Sequence, residues 1–320
     1  MPRPRCLLPL LAALLLPQAS TAQSAPIVLP LDYAGRHLYL TLTDDHLGPL
    51  TLMLDTGFQH TSITTAAARR GQIRSSLWHR TLDYNGFGAG SAKRRYRTTP
   101  VALRSGPATL FTGSALVADF GDLARQLGHP SDGFLGWDFL HRWCATLDYA
   151  PARLTLRDPA NCPAPPGPSA ALHGQWTSQG LLLAAQLTFS NGRTTPALVH
   201  FDTGSDVTLL LNTQFRAPAG LGPGSSAESH GFGVNGRYST DIVSISALDL
   251  EGHLHIAAGN GVTIAIARPG AFSTVHWWSD GPTAARINHD GVIGNGLLDR
   301  FRWTFSPADR RLYATPAGAN

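Results

Sequence analysis

Apolar residues in this chain come in short runs or alternate with polar ones, the period of β-strands and not of long helices. Residues 27–31, 37–43 and 50–54 read as strands rich in Leu, Ile, Val, Thr and Tyr. Residues 101–103 and 110–117 continue the pattern, and 145–156 read as a hairpin turned at Tyr149-Ala150-Pro151. Beyond a proline-rich stretch the rhythm returns at 181–189 and 197–201. These two runs are joined through Asn191-Gly192, a strong hairpin signal between apolar runs. Further strands are expected at 242–248, 253–257 and 262–267, and two more, 302–305 and 311–314, close the chain. Helical spacing is confined to 65–70, 120–127 and a turn or two elsewhere, so the predicted fold class is all-β.

The pattern also repeats on a larger scale, and this decides how the rest is read. Two apolar runs end in the same tripeptide: Leu52-Met53-Leu54-Asp55-Thr56-Gly57 and Val199-His200-Phe201-Asp202-Thr203-Gly204. Each is followed by a glycine-rich segment, Gly86-Phe87-Gly88 in the first half and Gly231-Phe232-Gly233 in the second. Each half then carries an apolar-Gly motif, Asp132-Gly133-Phe134-Leu135-Gly136-Trp137 and Asp290-Gly291-Val292-Ile293-Gly294-Asn295. The three landmarks recur in one order, offset by 147, 145 and 158 residues. Such an internal duplication predicts two lobes related by a pseudo-twofold axis. An Asp that ends a buried strand in a Thr-Gly turn is a carboxylate at the floor of a cleft. Two such turns brought together give a carboxylate pair that can share one proton.

These residues carry a resemblance. Each half looks like one retropepsin-type unit: a strand into Asp-Thr-Gly, a glycine-tipped flap hairpin, then an apolar-Gly motif before a short helix and a closing strand. Two units in one chain resemble the bilobal aspartic proteases of the pepsin type, and the short halves look like a fused pair of bacterial retropepsin-like domains. The resemblance covers nearly all of the chain after its N-terminal segment. It implies a bilobal acid-protease fold with two retropepsin-like β-barrel lobes and a central cleft. It further implies a catalytic pair, Asp55 and Asp202, supported by Thr56, Gly57, Thr203, Gly204 and Ser205, with Gly86, Phe87, Gly88, Gly231, Phe232 and Gly233 as substrate-covering flaps. In that chemistry the ionised carboxylate polarises a water and the protonated one donates to the scissile carbonyl. Neither a metal nor another cofactor is required. One residue departs from the family pattern. Phe58 follows the first Asp-Thr-Gly where the family has Ser, Thr or Ala, while the second copy keeps Ser205. Phe58 is also what favours the rival expectation, a non-catalytic envelope peptide- or protein-binding protein that retains the fold.

The N-terminus adds a compartment. Arg3 and Arg5 precede an apolar run, Leu7 to Leu16, and Ser20-Thr21-Ala22 offers the small residues of a signal-peptide cut after Ala22. The run is too short to span a bilayer, and no transmembrane anchor is expected. The expected location is periplasmic or secreted. The first strand begins so soon after the cut that no inhibitory segment is expected before it. The expected organisation is a signal peptide at 1–22, an N-terminal lobe at 23–160, a proline-rich linker at 161–175 and a C-terminal lobe at 176–320. Cys6 precedes most of the apolar run, which leaves Cys144 and Cys162, an even pair that in an exported chain favours a disulfide.

Charge changes the picture little. Charged residues are 14% of the chain and the net charge is +4, part of it in the run Lys93-Arg94-Arg95-Tyr96-Arg97, which reads as a solvated strand face. There is no basic-aromatic nucleic-acid module. The thirteen histidines show no metal-ligand spacing beyond His253 and His255 on one strand, so no metal is expected. Trp277-Trp278 reads equally as a pocket wall or as packing under the second lobe. The expected partner is a peptide or protein substrate, and the expected state is a monomer with internal pseudo-symmetry.

Overall fold

The computed structural model describes residues 25–73, 80–84, 92–120, 125, 127–222, 228–233, 236–269 and 289–318. Gly86, Phe87 and Gly88 of the first flap, Trp277-Trp278 and the segment before residue 25 lie outside them. So does most of the helix expected at 120–127, of which Arg125 and Leu127 are described as helical.

The first half contains β1 (Ile27–Pro30), β2 (Asp32–Ala34), β3 (His37–Asp44), β4 (Gly48–Leu54), β5 (Ser62–Thr64), β6 (Arg80–Tyr84), β7 (Ala92–Ser105), β8 (Ala108–Ala118), β9 (Gly133–Leu135), β10 (Cys144–Asp148) and β11 (Arg153–Arg157). The second contains β12 (Ala170–Leu172), β13 (Gln175–Thr177), β14 (Gly180–Phe189), β15 (Thr194–Phe201), β16 (Leu209–Leu211), β17 (Glu228–Gly233), β18 (Gly236–Leu250), β19 (Leu254–Ala267), β20 (Gly291–Ile293), β21 (Phe301–Ser306) and β22 (Arg311–Pro316). Short helices are α1 (Thr65–Arg70), capped by the Thr64 side chain, and α2 (Trp137–Leu140) and α3 (Asn295–Leu298), one after each apolar-Gly motif.

The duplication is visible strand for strand. One eight-stranded sheet runs β2-β3-β4-β9-β5-β8-β7-β6 and the other β13-β14-β15-β20-β16-β19-β18-β17. Each folds back on itself, through β3–β7 in the first lobe and β14–β18 in the second, so that each lobe is barrel-like. Leucines alternate inward because strand side chains point to opposite faces in turn. Leu38, Leu40 and Leu42 of β3 meet Leu50, Leu52 and Leu54 of β4, and Leu183 and Leu187 of β14 do the same beside Val199 and Phe201 of β15. Each such side chain removed from water contributes about 1.5–3 kcal/mol.

Three features differ from the sequence expectation. The closing strands do not stay in their lobes. They form a third, six-stranded sheet, β1-β11-β10-β21-β22-β12, in which β10 of one half pairs antiparallel with β21 of the other from Ala145↔Phe305 to Asp148↔Arg302. Ala170–Leu172, expected as linker, is a strand on β22 in that sheet, because its backbone completes an edge that a loop would leave unpaired. The runs 253–257 and 262–267 are one strand, β19, carried through Asn260-Gly261 beside a register shift in β18 between Ile245 and Ala247. Cys144 and Cys162 form a disulfide with Cα atoms 5.3 Å apart, tying the start of the proline-rich stretch to β10.

Candidate active site

Asp55 and Asp202 stand just beyond the ends of β4 and β15, each strand pairing in parallel with the strand of the following apolar-Gly motif, β9 or β20. The backbone N–H of Asp55 donates to Leu135 O at 3.0 Å and that of Asp202 to Ile293 O at 3.0 Å. The first residue of each motif is a staple. Asp132 accepts from Thr51 N–H (3.1 Å) and pairs with Arg70 (2.6 Å). Asp290 accepts from Leu198 N–H (2.8 Å) and from the Gln214 amide (2.5 Å). These carboxylates hold the two inserted strands in register, which explains the spacing of the motifs.

The threonines join the lobes. Thr56 N–H donates to Thr203 Oγ1 and Thr203 N–H to Thr56 Oγ1, both at 3.0 Å. Each hydroxyl then donates across the axis, Thr56 to Phe201 O and Thr203 to Leu54 O, both at 2.8 Å. Both threonines are fully buried, so every one of these donors needs its partner. The glycines bring the carboxyls together. A Cβ on Gly57 would lie 2.7 Å from Asp202 Oδ2, and a Cβ on Gly204 2.5 Å from Asp55 Oδ2, so each carboxyl rests on the glycine of the other turn.

Asp55 is half-buried, Asp202 is buried, and their carboxyls are hydrogen-bonded to each other. Burial, then the charge of Asp202, holds the Asp55 carboxyl well above the ordinary carboxylate range. Burial also raises Asp202, to about 6, against the pull of the Gly204 N–H, which donates to its Oδ1 at 2.8 Å. The pair therefore carries one proton over a broad range. Ser205 donates its N–H to Asp202 O (3.4 Å), the counterpart of Phe58 N–H to Asp55 O (3.3 Å).

Phe58 turns into an apolar cluster. Its ring lies 5.3 Å from Phe134 and 6.0 Å from Phe120, beside Met53, Tyr39 and Leu116. In the second lobe the position of Met53 is His200. Its ring packs against Gly180 and lies 5.6 Å from that of His289, both imidazoles being buried. Burial lowers both, and His289 falls to about 4. An imidazole lowered in the fold binds its proton more tightly when unfolded. Its contribution to stability is therefore intact above the ordinary 6.5 and is lost as pH falls toward about 4. The raised carboxyl of Asp202 acts oppositely, losing stability as pH rises from 3.8 to about 6, so the histidine effect is read as a difference. His289→Gln is expected to gain melting temperature relative to the wild type between pH 6.5 and 4, measured by calorimetry. An unchanged difference across that window would rule the imidazole out.

Of the two expected flaps, the second is described. β17 and β18 form a hairpin paired from Glu228↔Asp241 to Gly233↔Gly236, with Phe232 36% exposed near its tip. Gly231 is not a tip residue. It faces Tyr238 across the hairpin, and a Cβ there would lie within 2.5 Å of the Tyr238 ring, so its role is to let the ring cross. The hairpin base is tied by fully buried Asp241, which pairs with Arg216 and Arg268, and by Arg268 with Glu228 at 3.0 Å. Among the described residues no group of three or more His, Cys, Asp or Glu is placed to hold a metal ion, and no helix is long and apolar enough to cross a membrane.

Sequence reasoning missed Asn295. Its side chain is fully buried beside the second turn and donates to Thr203 O at 2.7 Å and to Arg36 O at 2.6 Å. The only sequence signal was a polar residue in a motif position where the first half has Trp137. It also missed Asp138, whose carboxyl is raised by burial while it accepts from Thr61 N–H (2.8 Å) and Oγ1 (2.7 Å), bracing the first turn.

Residues 41–139 match the family model described as aspartyl protease. No curated protein matches the sequence. Among solved structures, the aspartic proteinase from Irpex lacteus superposes with a TM-score of 0.52 at 14% identity, covering 92% of this chain and 98% of that one. Basic 7S globulin from soybean superposes more weakly, with a TM-score of 0.47 at 13% identity over 91% of this chain and 94% of that one. The chain thus carries the bilobal, pepsin-like aspartic protease fold over nearly its whole length, and its first lobe resembles the aspartyl protease family in sequence.

Proposed function

We propose that the protein is an aspartic endopeptidase that hydrolyses peptide bonds with a water activated between Asp55 and Asp202. The observation that carries this reading is the reciprocal threonine grip, which sets each carboxyl on the other turn's glycine. With Asp55 holding the shared proton and Asp202 ionised, the pair supplies a base for the water and an acid for the scissile carbonyl. In this reading the second hairpin, with Phe232 exposed near its tip, covers an extended peptide. Export with cleavage after Ala22, the covering role of the first flap and action as a monomer belong to the same proposal.

The purified mature protein is expected to cleave a denatured protein mixture in a pepstatin-sensitive way. Turnover should be higher near pH 6, where Asp202 ionises, than near pH 3, where both carboxyls are protonated. Absence of pepstatin-sensitive cleavage at any pH from about 3 to about 8 would sink the reading. A peptide-binding protein without catalysis is the second reading, favoured by Phe58, which brings no hydroxyl to Asp55. It predicts saturable peptide binding with no product.

A further inference from the structure

The two aspartates sit in turns of identical sequence, yet their surroundings differ one step out. The Thr203–Gly204 peptide group is held at both ends. Its N–H donates to Asp202 Oδ1 at 2.8 Å, and its C=O accepts from Asn295 Nδ2 at 2.7 Å. The Asn295 backbone N–H grips the same turn at Ser205 O, 2.7 Å away. On its other side Asn295 Oδ1 accepts from the Tyr149 hydroxyl at 2.6 Å. Tyr149 is buried in the turn between β10 and β11, edge-on to Tyr33 at 5.4 Å, and burial raises its phenol so that it remains a donor. An unbroken line of hydrogen bonds thus runs from Tyr149 through the Asn295 amide and one peptide group to the Asp202 carboxylate.

The first lobe lacks this line. Trp137 occupies the position of Asn295 and keeps its backbone bond, N–H to Phe58 O at 2.8 Å. Its indole instead donates away from the turn, to Thr177 O of the second lobe at 2.9 Å. Among the described residues no side chain donates to the Thr56 carbonyl. A carbonyl that accepts a hydrogen bond polarises its own amide, and the N–H at the other end becomes a better donor. A better donor to a carboxylate favours its ionised form.

We propose that Asn295, backed by Tyr149, is a positioning residue that selects Asp202 as the member of the pair that carries the negative charge. The proposal rests on the peptidase reading for its purpose, but not for its test. The orientation of one peptide plane then breaks the symmetry that the duplicated turns would otherwise impose. Tyr149 lies in the turn that joins β10 and β11 of the six-stranded sheet shared by both halves, so the choice is anchored beside the element that joins the lobes.

The test is a carboxyl-carbon NMR titration of protein labelled at aspartate, with Asp202→Asn assigning the resonances. In Asn295→Ala the Asp202 midpoint is expected to rise by about 0.5–1 pH unit, the scale of one lost neutral hydrogen bond, here the one to the Thr203 carbonyl. Tyr149→Phe is expected to shift it in the same direction by less, and to lower kcat with KM nearly unchanged. A purely structural role would lower the melting temperature and leave the midpoint where it was. Unchanged midpoints in both variants overturn the proposal. Should Asn295→Ala fail to fold, Tyr149→Phe decides alone, because it removes a single oxygen. If the midpoints shift while the wild type cleaves nothing, the peptidase reading falls and this one stands.

Discussion

Asp55→Asn and Asp202→Asn are each expected to abolish peptide hydrolysis while leaving the two-lobed fold intact. Asn cannot take or give the shared proton, so either replacement removes the base or the acid of one concerted step. A loss of about 10²–10⁴-fold is the scale for one such group, and because the pair acts as a unit the second substitution adds little to the first. Stability should move the other way. Both carboxyls are raised by burial, so ionising the pair at neutral pH works against folding, and a neutral amide removes that cost. The variants should therefore melt no lower than the wild type at pH 7. Cleavage rate and melting temperature, measured on the same preparations, check both halves of the expectation. Near-wild-type cleavage by either single variant would show that the shared-proton mechanism is wrong.

Gly204→Ala is expected to inactivate nearly as fully, for a steric reason. A Cβ at that position would sit 2.5 Å from Asp55 Oδ2 and closer still to its Cγ. Asp55 cannot yield without leaving Asp202, because its backbone is pinned by its N–H bond to Leu135 O and its turn by the Thr56–Thr203 grip. A displacement of about 1 Å at reacting groups costs about 10²-fold. The control is Gly222→Ala, where an added Cβ meets nothing within 4 Å and no loss is expected. Steady-state rates for the pair of variants separate a specific clash from a general intolerance of alanine. If Gly204→Ala cleaves as well as Gly222→Ala, the carboxyls do not meet as described.

Much of this molecule was written in local pattern. Period-two alternation in residues 37–43 and 181–189 placed β3 and β14, because one buried face forces that alternation whatever the rest of the chain does. The repeated Asp-Thr-Gly and apolar-Gly landmarks predicted two like lobes and named both carboxylates, since a duplicated fold keeps its sharp turns at matching positions. Contacts between elements far apart in sequence were not legible. The closing strands pair at home, β10 with β11 and β21 with β22, as local pattern allows; that β10 also pairs with β21 depends on how two finished lobes present their edges. Asn295 looked like any polar residue near a helix start. Its part emerges only when Thr203, Arg36 and Tyr149, from three separate segments, surround one amide that is 0% exposed. Phe58 read as a threat to the pair, and only packing turned its ring toward Phe120 and Phe134. The sequence determined which strands and which carboxylates, because those follow from periodicity and turn chemistry. The tertiary structure decided how the two halves are joined and what surrounds each aspartate, because those depend on geometry between residues that no local pattern relates.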